Sequence, residues 1–137
     1  NLYDEAFVVA APANDPLATK KQIKVDDLAG VTLLLLEDGH CLRDQALDVC
    51  SRIDVREKQD FRATSIETLR QMVAAGAGAT LLPELATRGG YATPRGLVVR
   101  PFAKPAPTRR IGAIWRKSTP RSVAIDAVAK VIAGHAL

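Results

Sequence analysis

The run Val31-Thr32-Leu33-Leu34-Leu35-Leu36 carries a single polar side chain, and a strand of that composition has to be covered on both of its faces. A sheet with one wet face cannot hold it. The chain must place further layers on either side, and the segments around the run have the spacing for that. Phe7-Val8-Val9-Ala10-Ala11, closed by Pro12, reads as a buried strand. Asn14-Asp15-Pro16-Leu17-Ala18 reads as a capped short helix with proline in its first turn. Val25 to Gly30 is a second short turn ending on glycine.

From Leu42 to about Ile53 the apolar positions Leu42, Ala46, Val49, Cys50 and Ile53 recur at helical spacing. The polar stretch 54–60 reads as a surface connection, and Phe61-Arg62-Ala63 as an extended segment. Thr64-Ser65-Ile66-Glu67 fits a capping box, opening a helix through Leu69, Met72 and Val73 that stops at Gly76. Ala79 to Leu82 is a buried strand broken by Pro83. Leu97-Val98-Val99 and Ile111 to Trp115 are two more strands, separated by the proline-rich 101–107, and Val123 to Ala133 is a final helix. Strands alternate with helices, which predicts an α/β fold, a Rossmann-like sheet with helices on both faces. The proline-rich tract and 88–96 are the loop or hinge candidates.

At 137 residues and 47% apolar composition the chain can bury one substantial core, as one domain or one lobe of a larger one. No stretch reaches the ~18 apolar residues of a membrane span, and Ala6 to Ala11 is too short, with acidic rather than basic residues before it, to read as a signal-peptide core. The chain opens on Asn1 in what already reads as the edge of a strand, as a fragment would. The net charge is +4, with arginines at 88, 95, 100, 109, 110, 116 and 121. Without a helix-turn-helix, zinc finger or aromatic-interleaved motif, an excess of this size reads as a solvated surface rather than a nucleic-acid face.

Cys41 and Cys50 are the only thiols. Two cysteines are too few for a secreted disulfide scaffold, and a cytosolic chain keeps both reduced. The other soft candidates, His40 and the remote His135, form no paired spacing with them, so no metal site is expected. Were 41–50 one helix, nine steps of ~1.5 Å and ~100° would put the two Cα atoms roughly 13 Å apart and on opposite faces. A disulfide needs a Cα separation of about 4.4 to 6.8 Å, so closing one requires the intervening turns to melt. That pair has the makings of a redox switch.

Glu37-Asp38-Gly39-His40-Cys41-Leu42-Arg43-Asp44-Gln45-Ala46, with Cys50 beyond, closely resembles the redox loop of the OxyR family, peroxide-sensing transcription regulators of the LysR type. The likeness continues from Phe61 to Pro83. Weaker LysR-type features stand at Asp15-Pro16-Leu17-Ala18, Asp27-Leu28-Ala29-Gly30 and Lys104-Pro105 leading to Arg109-Arg110-Ile111-Gly112. The resemblance implies a truncated LysR-type effector domain, like one lobe of a periplasmic binding protein. Residues 11–107 would be its second lobe, and 1–10 and 108–137 the crossing strands and the return into the first lobe. The DNA-binding domain would be absent.

By that resemblance Cys41 is the peroxidatic thiol and Cys50 the resolving one, switched by a reversible disulfide with local refolding. Local physics favours the same order. Cys41 follows Gly39-His40 at the expected helix N-terminus, where amides and the dipole favour a thiolate, while Cys50 lies on the apolar stripe. His40, Arg43, Asp44 and Arg110 are the candidate supports for thiolate and peroxide, against the opposing charges of Glu37 and Asp38. Thr64 and Ser65 mark a candidate effector cleft, although capping suffices to explain them. No cofactor is implied and no catalysis in the turnover sense. The implied partners are hydrogen peroxide, a glutaredoxin or thioredoxin as reductant, and, through a full-length homodimer or tetramer in the cytoplasm, DNA and RNA polymerase. The alternatives are a small-molecule-binding LysR-type effector domain, an inactive remnant and a thiol peroxidase.

Overall fold

The computed structural model describes residues 1–58, 60–88 and 93–135. Its centre is β1 (Tyr3–Pro12), a ten-residue strand buried almost throughout. Antiparallel partners flank it: β4 (Thr80–Pro83) pairs Phe7 to Ala10, and β5 (Leu97–Pro101) pairs Val8 to Pro12. The lower half of β1 pairs with β6 (Thr108–Ile111), which sets Asp4 against Arg110 and Glu5 against Arg109. Opposite charges on facing positions fix that register.

The leucine run follows the expected burial, with Leu33 to Leu36 all nearly sealed from solvent. Each buried leucine contributes on the order of 2 kcal/mol, so the run alone is a major part of the core. Only β2 (Thr32–Leu33) is a regular strand. Single parallel bridges join Leu33 at its end to Ala79 and, further on, Leu36 to Ala63. Gly78, just before β4, has φ +157°, and a Cβ there would lie 2.7 Å from the Thr32 carbonyl oxygen. Glycine lets these two backbones meet.

Three α-helices complete the fold among the described residues: α1 (Cys41–Val49), α2 (Ile66–Ala74) and α3 (Ser122–Gly134). α1 sends Leu42, Ala46 and its cap Cys50 into the core, and α2 sends Leu69 and Val73. α3 keeps no residue buried, and Val123, Val128, Val131 and Ile132 stand exposed along it.

The structure corrects four expectations. The helix after the thiol loop ends at Val49 rather than near Ile53, because the chain turns at Cys50, whose amide already bonds back to both Ala46 and Leu47. The polar stretch 54–60 contains β3 (Arg56–Glu57), which pairs in parallel with β2; backbone groups make that ladder, so side-chain polarity does not forbid it. The strand expected at 111–115 lies earlier, at β6, where two arginines meet the acids of β1. The expected capping box gives way to a simple N-cap one residue later. Ser65, not Thr64, is the N-cap and accepts from the Thr68 amide, while Glu67 binds Arg70 and Gln71 instead of reaching back. Residues 89–92 of the hinge candidate lie outside the described residues.

Candidate redox site

The site is built at the end of the leucine run. Leu34 donates its amide to the Ala79 carbonyl at 2.8 Å, and Ala63 and Glu37 donate to Leu35 and Ala63 at 3.1 and 3.0 Å. This ladder holds the chain as far as Glu37. Gly39 then turns it at φ +92°, a conformation that a side chain would strain. His40 is the extended N-cap of α1, and Cys41 is the first helical residue.

His40 makes no side-chain capping bond. The Arg43 amide turns back to the His40 carbonyl at 2.9 Å, and Cys41 stands at the N-terminal end of α1, where the helix dipole favours negative charge. Cys41 is exposed and Cys50 is buried, and both are free thiols. Burial pushes the Cys50 thiol above its ordinary value. The two cysteines sit at opposite ends of one helix, one exposed and one buried, with about 13 Å of helical rise between their Cα positions.

Arg43, in the first turn of α1, is not on a solvated face. Only 8% of it is exposed, and its guanidinium lies 2.9 Å from Asp38 Oδ1 and 2.8 Å from Glu57 Oε1. The bond to Glu57 holds the arginine above its ordinary value and the Glu57 carboxyl below its own. Arg62 completes the cluster, 2.5 Å from Asp38 Oδ2 and 3.3 Å from Glu57 Oε1. Asp38, which would oppose a thiolate at Cys41, is thereby paired with two guanidinium groups. Asp44 is exposed on the first turn of α1, as is His40 before it.

Arg110 stands away from the first turn. Its Nε lies 3.4 Å from Asp4, and with Arg109 it lines a cleft of about 400 Å³ whose other wall is the second half of α1, at Gln45, Asp48 and Val49. Gln45 was not singled out from the sequence. Its Oε1 is buried and has no hydrogen-bond partner among the described residues. The signal was available, since Gln45 lies four residues past Cys41 and shares its helix face. Glu57 and Arg62 were missed for a different reason: 14 and 19 residues separate them from Arg43, and nothing local marks the pairing. Thr64 and Ser65 follow Arg62 of this cluster by two and three residues and lead into α2, with Ser65 engaged as its cap. Among the described residues no group of acids, histidines and cysteines could hold a metal, and no helix is long and apolar enough to cross a membrane.

A mixed α/β body of this kind is what known relatives share. Residues 1–136 match the LysR substrate binding domain, and the chain belongs to that family, whose fold resembles periplasmic binding proteins. The DNA-binding transcriptional dual regulator OxyR of Escherichia coli K12 is 45% identical over 131 residues, 96% of this chain and 43% of its own length. A probable hydrogen peroxide-inducible genes activator of Mycobacterium avium is 47% identical over 121 residues, 88% of this chain and 39% of its own. The chain spans less than half the length of these relatives. Among solved structures, the reduced form of OxyR superposes with a TM-score of 0.81 at 42% identity, covering 97% of this chain and 61% of that one. The oxidized form gives 0.79 at 44% identity, covering 97% and 62%.

Proposed function

We propose that this chain is the redox-sensing part of the regulatory domain of a hydrogen-peroxide-responsive, LysR-type transcription regulator. One observation carries the reading: a single helix begins at an exposed thiol and is capped by a buried one. The likeness to regulators named for hydrogen peroxide, and to a domain solved in reduced and oxidized forms, supports it.

The Cys41 thiolate attacks one peroxide oxygen and breaks the O–O bond. It becomes a sulfenic acid, and the departing hydroxide takes a proton to leave as water. The Cys50 thiol then attacks the sulfenic sulfur, loses its proton and expels a second water, so the two electrons given to peroxide come from the two sulfurs. First-turn amides and His40 support the thiolate. Arg43 acts by holding Asp38 and the turn in place, Asp44 stays at the wet edge, and Arg110 and Gln45 line the cleft beyond. Cys50 can reach Cys41 only if α1 unwinds, so oxidation is recorded as a change of backbone. A bond closed at the expense of packed helix is readily reduced, which suits reset by a glutaredoxin or thioredoxin rather than repeated turnover.

Residues 11–107 form the second lobe in this reading, with 1–10 and 108–137 crossing to the first. Effects on DNA and RNA polymerase would run through the full-length cytoplasmic homodimer or tetramer. Ser65 caps α2, which leaves no need for a ligand there. Intact-mass spectrometry after a stoichiometric peroxide pulse tests the proposal: loss of two hydrogens, with Cys41 and Cys50 in one linked peptide, is expected. Two free thiols after the pulse would refute it.

A further inference from the structure

We infer that Glu57 and Arg62 are positioning residues for the redox switch: with Asp38 and Arg43 they form a latch that holds the first turn of α1 and thereby sets how readily the Cys41–Cys50 bond closes. This deepens the proposed redox function and rests on it.

The four side chains close a circuit. Asp38 bridges Arg43 and Arg62 through its two oxygens, and Glu57 Oε1 takes a contact from each arginine, at 2.8 and 3.3 Å. Two acids and two bases make the cluster neutral, so it offers no net charge to Cys41. Its effect has to be mechanical.

The mountings of the circuit differ in rigidity. Glu57 sits on β3, paired with Leu33 of the buried run. Arg62 precedes Ala63, whose amide donates to Leu35 at 3.1 Å. Both belong to the fixed body. Asp38 and Arg43 belong to the segment that must rearrange, one before the helix and one inside its first turn. The helix start is thus tied to the body by ion pairs spanning long sequence distances, not by the local helical pairs that any exposed helix carries.

Unwinding α1 draws Arg43 out of a place where it has already lost its water and leaves Glu57 with Arg62 alone. Removing one member of such a cluster weakens the hold on the reduced shape without touching either sulfur. Buried pairs return much of their attraction as desolvation cost, so the net hold is modest. A shift of roughly tenfold in the thiol–disulfide equilibrium follows, the size of one hydrogen bond to a charged group. For two electrons that is about 30 mV.

The test compares the whole chain with Glu57→Gln, Arg62→Gln and the double variant in glutathione buffers, where the disulfide and two glutathiones exchange with the dithiol and glutathione disulfide. Glu84→Gln, which removes a pair with Arg88 outside the cluster, serves as control. Acid trapping and mass analysis read the oxidised fraction, and amide exchange of residues 43–50 reads the reduced helix. Each single variant is expected to favour the disulfide roughly tenfold and to speed exchange in α1, with the double variant showing less than the sum because the residues share one cluster. Glu57→Asp and Arg62→Lys are expected to shift in the same direction by less, and they decide the matter if a glutamine variant unfolds. Potentials and exchange equal to those of Glu84→Gln would overturn the latch while leaving the switch intact. A parent chain that forms no disulfide would overturn the redox function, and the latch with it.

Discussion

Cys50 caps the helix whose first residue is Cys41, so the two thiols are held apart by the element that lies between them. A covalent bond between these residues and an intact α1 exclude each other. The intrinsic stability of one nine-residue helix therefore becomes a setting of the switch.

Asp48 gives direct access to that setting. It is exposed in the last turn of α1, where its charge opposes the helix dipole and its helix propensity is poor. Asp48→Ala is expected to steady the helix by about 0.5 to 1 kcal/mol and to favour the dithiol a few-fold in a redox titration. Asp48→Gly is expected to fall on the other side of Asp48→Ala. Equal potentials for the two variants would show that helix stability does not govern the bond.

The thiols should differ in reactivity in the reduced protein. Cys41 is exposed, whereas Cys50 is 2% exposed and its thiol is pushed up by burial. Timed alkylation with iodoacetamide followed by peptide mapping is expected to label Cys41 first, with Cys50 labelled only as the helix opens. Matching rates at both positions would contradict the buried geometry.

Acid should loosen the latch through Glu57. The hydrogen bond from Arg43 lowers the Glu57 carboxyl from its ordinary 4.5, so the native state binds this proton less readily than the unfolded chain does. Its contribution to stability is therefore fully present above pH 4.5 and is lost as pH falls through the depressed value. Urea unfolding of the parent is expected to weaken over that acidic window, and Glu57→Gln to lack this part of the slope. Identical pH profiles would remove Glu57 from the account.

Glu5 anchors the other side of the fold. It is fully buried on β1, accepts from the Leu85 amide at 2.9 Å and pairs with Arg109 on β6 at 2.8 Å. Glu5→Ala leaves the Leu85 amide and the Arg109 charge without their acceptor and is expected to cost about 3 to 5 kcal/mol in urea unfolding. A loss below about 1 kcal/mol, the value of an exposed pair, would show that this crossing is not a structural joint.

The fold was legible where burial alone dictates structure. Val31 to Leu36 and Phe7 to Ala11 could only be interior, and Leu42, Ala46 and Cys50 could only line a helix face. Of the candidate site, the sequence marked Cys41, Cys50 and the loop before them, and the fold sets the first at the start of α1 and the second at its cap. What escaped sequence reading were pairings between distant segments. Arg109 and Arg110 lie opposite Glu5 and Asp4, which moved a strand forward. Arg56 and Glu57 sit in a polar stretch yet complete a ladder. Arg43 read as a support for the thiolate, and its pairing with Glu57 stayed hidden because Glu57 comes 14 residues later in the chain. Such contacts carry no local periodicity, and only the folded backbone brings them together.

Amide hydrogen exchange across residues 42–50, recorded before and after stoichiometric hydrogen peroxide and repeated on Cys50→Ser, addresses the central claim most directly. The account predicts protected amides in the reduced chain, loss of that protection as the disulfide forms, and retained protection in Cys50→Ser, where no bond can close. A bond joining Cys41 to Cys50 with the helix amides still protected would contradict it.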